Sequence, residues 1–378
     1  MNILLVMDQI DSENNGTTIS ARRFADALSK RGNDVRFLAC GKEADNKFTV
    51  HKIHFLPIAE HIVSSQGMAL AWPSKKVVKE ALEWADVVHF MMPFLLSMRT
   101  LSMAEDMGVP HTAAFHVQPE NITYSLGLSK STRAVEFIYA MFRDHFYDRF
   151  DHIHCPSAFI AKQLADRNYK AELHVISNGI KDSFQYRKSE KPQEYKDKFV
   201  ITMIGRLSPE KRQDILISAV SKSKYADKIQ LIFAGQGPKK AALMRQGECL
   251  KNPPVFKFFD QAGLQEALSY SDLYVHASDV EIEAISCIEA FASGLVPVIA
   301  NSKLSATPQF AIDERSLFEA GNSEDLAAKI DYWLENVKER QDMEIKYAEK
   351  GKEYHLENCV AQAEEMFRNA AESTYCYA

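Results

Sequence analysis

Residues 278–300 read SDVEIEAISCIEAFASGLVPVIA, and this stretch decides the fold. It follows the short apolar run Leu273–Val275, which predicts a strand, and it begins with a polar loop. The next residues form an apolar helical pattern that Gly294 ends, and Val296–Ala300 is a second apolar run of strand length. Strand, helix and strand in this order predict a β-α-β unit of a parallel sheet.

The same alternation of short apolar runs and longer helical patterns continues along the whole chain. The further strands predicted in the second half are Phe199–Ile204, Gln230–Ala234 and Val255–Phe258. Those predicted in the first half are Asn2–Met7, Asp34–Leu38, Val87–Phe90, Thr112–Phe115 and His152–Cys155, with a first crossover helix near Thr17–Lys30. The pattern predicts an α/β protein with two Rossmann-like, doubly wound parallel-sheet domains facing a cleft.

The length of 378 residues is too great for one ordinary core and suits two domains. We predict an N-terminal Rossmann-like domain over residues 1–180 and a C-terminal one over residues 199–355. Residues 181–192 are polar and charged with no apolar period, and this predicts a linker. From about residue 356 to residue 378 the chain predicts a helix that packs back on the first domain.

Composition excludes several classes of protein. Apolar residues make up 46% of the chain and charged residues 25%, and the net charge of −6 disfavours a nucleic-acid partner. We find no run of about 18 apolar residues and no signal-peptide pattern at the start. The six cysteines have no metal-ligand spacing and are expected to be reduced thiols. We expect a cytoplasmic protein, placed at the inner face of the cell membrane if its acceptor is a lipid.

Two glutamates in the opening stretch are candidate ligands of a nucleotide. Glu281 lies in the loop before the predicted helix, and Glu289 lies inside the helix, one turn beyond Ile285. The free N–H groups of a helix N-terminus suit a diphosphate. A half-buried Glu289 would accept hydrogen bonds from ribose hydroxyls. The alternative is that both glutamates are ordinary residues of a helix surface.

A second candidate segment follows the first strand of the second half. Gly205 permits a close turn, and Arg206 and Lys211 can converge on a diphosphate. The alternative is a solvated basic turn. Gly235 and Gly237 follow the next strand and suit a tight turn beside the nucleotide, although this Gly-x-Gly is equally a structural element.

The first domain carries further candidates. Gly16 and Thr17 open the first helix, where their N–H groups could meet phosphates, and an ordinary turn is the alternative. His116 follows the strand that ends at Phe115, and a histidine at the carboxyl end of a strand faces the cleft in such folds. Glu120 and Asn121 are weaker candidates for the acceptor side. The remaining histidines, such as His89, His152, His154 and His276, are interpreted as structural.

The segment from Glu281 to Glu289 resembles the E-x7-E motif of family 4 glycosyltransferases, and the following EAFASGLVPV looks like the continuation of that motif. The resemblance implies a retaining enzyme of the two-Rossmann-domain (GT-B) type, similar to bacterial glycolipid glycosyltransferases. It implies that Glu289 binds the donor ribose and that Glu281 lies near the transferred sugar. Where the family commonly has Gly-Phe-Gly, this chain has Ile282-Glu283-Ala284, so Glu283 competes for the sugar contact and the backbone of Ala284 and Ile285 borders the donor.

The resemblance extends to the other candidates. It implies that Arg206 and Lys211 hold the leaving diphosphate and that His116 stands in the place of the family's active-site histidine. No Asp-x-Asp motif ends a strand, and the two cations already neutralise a diphosphate, so we expect no essential metal and no other cofactor. The donor is expected to be UDP-glucose or UDP-galactose.

The acceptor substrate is the part of the function that the sequence determines least. An aromatic-rich, amphipathic pattern with arginines runs from about residue 130 to residue 150, and residues 62–73 add apolar material, which together suit a membrane surface. A buried crossover helix is the alternative. With the similarity to glycolipid synthases, the pattern predicts a membrane lipid acceptor such as diacylglycerol or ceramide. A saccharide of capsule, exopolysaccharide or lipopolysaccharide assembly is the second choice.

Two other classes of protein share this architecture. One is a non-catalytic nucleotide-sugar-binding protein, and the other is a sugar-nucleotide epimerase. The joint presence of Arg206, Lys211, Glu281 and Glu289 favours a transferase over both.

Overall fold

The computed structural model describes residues 1–11, 16–53, 69–125 and 131–375. The chain divides into two compact units. Unit 1 contains Met1–Gly179 together with Leu356–Ala378, and unit 2 contains Ile180–His355.

Unit 1 is a parallel α/β domain. Its described strands are β1 (Asn2–Gln9), β2 (Asp34–Cys40), β3 (Lys47–Lys52), β4 (Ala71–Trp72), β5 (Val87–Phe90), β6 (His111–Ala114), β7 (His152–Cys155) and β8 (Glu172–Val175). They form one sheet in the order β4-β3-β2-β1-β5-β6-β7-β8, in which only the β3–β4 pair is antiparallel. The helices are α1 (Gly16–Lys30), α2 (Lys75–Trp84), α3 (Leu95–Asp106), α4 (Pro119–Ser125), α5 (Thr132–His145) and α6 (Ala158–Ala165). The central strand β1 is buried between its ends because helices cover both faces of such a sheet.

Unit 2 has a second parallel sheet. Its main strands are β9 (Phe199–Ile204), β10 (Ile229–Ala234), β11 (Val255–Lys257), β12 (Leu273–His276), β14 (Pro297–Asn301) and β16 (Leu317–Glu319), and β13 (Val280–Glu281) pairs separately with β15 (Leu304–Ser305). The main order, β11-β10-β9-β12-β14-β16, is the doubly wound Rossmann order. The helices are α7 (Gln213–Lys222), α8 (Lys240–Gly247), α9 (Gln261–Tyr270), α10 (Ile285–Ala292), α11 (Ser323–Glu335) and α12 (Val337–Gly351).

The last helix, α13 (Leu356–Tyr375), belongs to unit 1. Its residues Val360 and Phe367 are buried in the hydrophobic core there. Glu364 accepts hydrogen bonds from Arg31 Nε at 2.8 Å and from Asn33 Nδ2 at 3.0 Å, just beyond the end of α1. The predicted α/β class is confirmed, and each of the ten predicted strands is present with ends that differ by at most two residues.

The prediction of a linker over residues 181–192 is wrong. Phe184 is buried in the core of unit 2, Lys188 Nζ lies 3.0 Å from Glu344 Oε1, and Lys191 Nζ lies 2.6 Å from Asp272 Oδ2. Glu344 and Asp272 are far from this segment in the sequence, so the local pattern of polar residues gives no sign of these contacts. The segment is therefore part of unit 2.

Two further sequence expectations concern membranes and thiols. Across the part of the chain that the structure describes, no helix combines the length and apolarity needed to cross a bilayer. The described cysteines are free thiols: Cys40, Cys155, Cys249, Cys287 and Cys359. Cys376 lies outside the described residues.

Candidate active site

The turn after β9 holds the two candidate cations. Gly205 has a φ of +150°, a conformation that residues with a side chain rarely adopt. A Cβ at Gly205 would lie 3.9 Å from Cδ of Lys211, so the lysine side chain passes beside this glycine. Arg206 is exposed, and its carbonyl oxygen accepts a hydrogen bond from Gln213 Nε2 at 2.9 Å. Both cations thus belong to the loop at the carboxyl end of a central strand, where doubly wound folds bind ligands.

The Gly-x-Gly after β10 packs against the same turn. A Cβ on Gly235 would lie only 2.0 Å from the carbonyl oxygen of Gly205, and one on Gly237 would lie 2.3 Å from that of Leu207. The two loops also share a backbone hydrogen bond from Leu207 N to Gln236 O at 2.9 Å. The two glycines therefore allow backbone to approach backbone, and their structural role is to fix the loop that carries Arg206.

Lys211 and Glu281 form an ion pair in unit 2. Lys211 Nζ lies 2.5 Å from Glu281 Oε1, and the two side chains are only 20% and 11% exposed. Burial raises the pKa of the Glu281 carboxyl. The Lys211 ammonium and a hydrogen bond from His276 together lower this pKa by more than burial raises it, so it lies well below its usual range. Glu281 is therefore an ionised hydrogen-bond acceptor at neutral pH, suited to sugar hydroxyls rather than to proton donation.

A buried chain of polar side chains supports Glu281. His276 Nε2 donates to Glu281 Oε1 at 3.0 Å, and its Nδ1 lies 3.0 Å from the hydroxyl of Tyr274. That hydroxyl in turn lies 3.3 Å from Ser286 Oγ in the first turn of α10. The interpretation of His276 as merely structural missed this contact. Its position at the carboxyl end of β12, comparable to that of His116 after β6, is the sequence signal that indicates it.

The first turn of α10 is a potential anion site. Its N-cap residue Ala284 has a φ of 69° and a ψ of 68°, and no side chain caps the helix. Cys287 N donates to Ala284 O at 2.9 Å, so the first-turn groups that can meet a ligand are the N–H groups of Ile285 and Ser286, and the helix dipole favours an anion there. For an alanine, the left-handed conformation costs about 1–2 kcal/mol.

We expect Ala284→Gly to raise the free energy of unfolding by about 1 kcal/mol, because glycine adopts the left-handed region without strain. Urea denaturation of the two proteins measures this difference. Ala290→Gly is the matched control, since Ala290 lies in the right-handed interior of α10, and it should lower the stability. A lower stability for both variants would show that Ala284 is not strained.

The other residues of unit 2 that were predicted to bind the sugar donor lie on α10 or in the turn before it. Glu289 is buried on α10 with 7% exposure, more deeply than the predicted half-burial. Glu283 is also buried, in the turn between β13 and α10, and Ile285 begins the helix.

His116 lies in a cluster of buried histidines in unit 1. His116 is 8% exposed, and its ring packs edge-to-face on His154 at 5.3 Å, while His154 stacks on His89 at 5.9 Å. Burial, with a smaller effect of His154, lowers the pKa of His116 to about 3. Among the described residues, His116 Nε2 has no hydrogen-bond partner. The imidazole is therefore neutral at physiological pH and can offer a hydrogen bond but not a charge.

The acceptor candidates after His116 lie on α4. Glu120 is buried, and its Oε2 accepts a hydrogen bond from the Tyr139 hydroxyl of α5 at 3.0 Å. Burial raises the pKa of the Glu120 carboxyl. This contact holds α4 to α5, so Glu120 has a packing role inside unit 1. Asn121 is half-buried on the same helix.

The candidates at the start of α1 are only partly covered by the structure. Gly16 is the first residue of α1, and Thr17 follows it as a half-buried residue. Asn14 and Asn15, the other residues of that predicted loop, lie outside the described residues, as do residues 62–68 of the predicted apolar segment. The phosphate contact of Gly16 and Thr17 stays a prediction.

One group of metal-ligand side chains occurs in the described parts of the chain, on β7 and β8. It consists of His152, Glu172 and His174, whose ligand atoms lie within 4.8 Å of one another. None of these residues was predicted to act in the reaction. The expectation that the reaction needs no metal stays a prediction.

Family models match both halves of the chain. The model described as Glycosyltransferase Family 4 matches residues 14–184, and the model described as Glycosyl transferases group 1 matches residues 184–351. A curated relative is the alpha-monoglucosyldiacylglycerol synthase of Streptococcus pneumoniae, which is 25% identical over 80% of this chain and 71% of its own.

Solved structures are also similar. The Anabaena protein HepE in complex with UDP-glucose is 16% identical, covers 98% of this chain and all of its own, and has a TM-score of 0.73. The catalytic domain of cholesterol-alpha-glucosyltransferase from Helicobacter pylori is 49% identical over 41% of this chain and 99% of its own, with a TM-score of 0.39. The two family models together span residues 14–351 and the sheets have the Rossmann order, so the chain belongs to the family 4/group 1 glycosyltransferases with the GT-B fold.

Proposed function

We propose that this glycosyltransferase moves glucose or galactose from a UDP-sugar to the hydroxyl of a membrane lipid, with retention of the anomeric configuration and without a metal ion. The observation that carries the proposal is the arrangement in unit 2. The Lys211 ammonium is held against ionised Glu281 beside the Gly205 turn, and Glu281 is linked through His276 and Tyr274 to the first turn of α10.

The chemistry of the leaving group explains the roles of the cations. As the bond from the sugar to the diphosphate breaks, negative charge grows on the leaving UDP, and Lys211 and Arg206 stabilise it together with the helix N-terminus. Lys211 is held in position by Glu281, so little reorganisation is needed when this charge appears. Glu281 accepts hydrogen bonds from the transferred hexose, and Glu289 accepts those of the ribose. His116, being neutral, contributes a hydrogen bond to the sugar.

A lipid acceptor is supported by a relative and by a surface. The relative from Streptococcus pneumoniae is named alpha-monoglucosyldiacylglycerol synthase. Helix α5 buries Val135 and Tyr139 in unit 1 but leaves Phe137 69% exposed and Met141 39% exposed. Exposed Arg133 precedes them on the same face at a spacing of four residues. The sequence left two interpretations open for this helix, a buried crossover helix and a membrane-surface helix. One of its faces is buried and the other suits an anionic membrane, so both descriptions apply.

We expect the double variant Phe137→Ser/Met141→Ser to lose about 10-fold or more of its binding to vesicles of phosphatidylglycerol and phosphatidylcholine. The reason is that two apolar side chains no longer leave water for the bilayer. Vesicle co-sedimentation measures the partition. Ile345→Ser is the control, because Ile345 is 62% exposed on α12 of unit 2. Equal binding by the double variant and the unmodified protein would contradict a role of this face.

A transfer assay tests the proposed function directly. The protein is incubated with radiolabelled UDP-glucose, UDP-galactose or GDP-mannose and with diacylglycerol, ceramide, cholesterol or a bacterial saccharide extract, each with and without EDTA. We expect labelled lipid from one of the two UDP-sugars, at a rate that EDTA does not lower, and an α-linkage by NMR. Transfer to saccharide alone would support the second acceptor class, and the absence of transfer to every acceptor would overturn the proposal.

A further inference from the structure

Asp8 is a buried carboxylate at the carboxyl end of β1. It is 5% exposed, and its Oδ1 accepts a hydrogen bond from the backbone N–H of Ala71 at 2.9 Å. Within the described residues its other oxygen, Oδ2, is buried and has no hydrogen-bond partner. A buried polar atom of this kind is rare in folded proteins and calls for an explanation.

Asp8 lines a small cavity of unit 1. Apolar side chains of Met7, Met92 and Phe94 form part of its wall, and Thr17 and Thr18 of the first turn of α1 form another part. The cavity is therefore apolar with a polar end. It lies at the carboxyl ends of the strands, the edge where doubly wound sheets bind their ligands.

The position of Asp8 is unfavourable for the folded protein alone. Burial raises the pKa of the Asp8 carboxyl to about 7, and the hydrogen bond from Ala71 offsets this only in part. A carboxylate that is removed from water with one oxygen unsatisfied lowers stability. Residues of this kind are commonly kept for a ligand.

We infer that the Asp8 cavity binds the hydroxyl end of an apolar alcohol acceptor, whose O–H donates a hydrogen bond to Asp8 Oδ2 while its first carbons contact Met7, Met92 and Phe94. This inference rests on the proposed function, because it assigns the acceptor of that reaction to named residues. An anionic ligand is disfavoured, since Asp8 would repel it once ionised. The apolar wall favours a lipid alcohol over a polyhydroxylated sugar, whose other hydroxyls would lose their water there.

Binding of two probes without donor tests the inference. Calorimetry measures the affinity of 1,2-dioctanoylglycerol and of cholesterol in cyclodextrin for the unmodified protein, Asp8→Asn and Asp8→Ala. Asp8→Asn keeps an oxygen for the N–H of Ala71 but loses the acceptor at Oδ2. We expect it to bind the preferred probe about 10- to 100-fold more weakly, the loss typical of a hydrogen bond to a charged group. Asp26→Asn, on the exposed face of α1, should bind like the unmodified protein.

Stability separates acceptor binding from a structural role. We expect Asp8→Asn to melt at the same or a higher temperature than the unmodified protein, because an unsatisfied buried carboxylate is removed. Equal probe affinity for Asp8→Asn, or no affinity of the unmodified protein for either probe, would overturn the inference. So would a lower melting temperature together with weaker UDP binding. UDP-glucose binding and turnover of the unmodified protein are measured separately, and their failure would count against the proposed function instead.

Discussion

Replacing Lys211 with methionine is expected to lower kcat for sugar transfer by about 10²- to 10³-fold, the loss typical when one preorganised donor to a developing anion is removed. Methionine keeps an unbranched apolar side chain beside Gly205 and loses the ammonium group, with its charge and its hydrogen bond to Glu281. Initial rates with saturating donor and acceptor measure the effect. The loss should fall mainly on kcat, because the charge on the diphosphate is greatest as the sugar leaves.

The ion pair with Glu281 requires a control for stability. Lys211→Met leaves the Glu281 carboxylate 11% exposed without its cation, and breaking one side of such a pair destabilises a protein. The double variant Lys211→Met/Glu281→Gln removes the unpaired charge, so it should regain stability without regaining activity. Lys240→Met removes an equal charge from an exposed site on α8 and should retain full activity. Recovery of transfer in the double variant would show that Lys211 acts only through folding.

The second large effect is expected for Glu289→Ala, which should weaken UDP binding by about 10²-fold. A buried carboxylate that accepts two ribose hydroxyl hydrogen bonds contributes more than a neutral contact, since bonds to charged groups are worth about 1.5–3 kcal/mol each. Isothermal titration with UDP measures the dissociation constant. UDP alone is the appropriate probe because it contains the ribose and lacks the hexose, which separates Glu289 from Glu281.

Glu344→Ala is the matched control for Glu289→Ala. Glu344 is a buried helical glutamate of unit 2, 3% exposed, whose Oε1 lies 3.0 Å from Lys188 Nζ. Both variants remove a buried carboxylate from a helix of the same unit, so both are expected to lower the stability. Only Glu289→Ala should weaken UDP binding. Full UDP affinity in Glu289→Ala would contradict the assignment of the ribose to this residue.

Ten strands of the two sheets could be predicted from the sequence because buried parallel strands are short, continuous apolar runs. Strands without that pattern were missed. The two-residue pair β13 and β15 depends on residues 24 positions apart, Val280 and Leu304, which no local pattern connects. The edge strand β8 has exposed residues at both ends and half-buried residues between them, so it lacks the continuous buried apolar run. The prediction of a linker over residues 181–192 was wrong because the residues that hold this segment in unit 2 are distant in sequence, as they are for β13 and β15.

The candidate site shows what motif positions can and cannot predict. Lys211 and Glu281 were singled out separately, and the structure pairs them across 70 positions of sequence. The contact of His276 with Glu281 has a sequence signal in the position of His276 at the end of β12, whereas Tyr274 has none because it resembles an ordinary buried strand residue. The neutral state of His116 could not be predicted from the sequence either, because it results from burial among other histidines.

A crystal structure of the protein with UDP-glucose tests the assignment of the donor site most directly. We expect the diphosphate within hydrogen-bond distance of Arg206 and Lys211 and of the first N–H groups of α10, with the ribose hydroxyls on the Glu289 carboxylate. A nucleotide bound anywhere else, with these side chains keeping their present contacts, would contradict the proposed donor site.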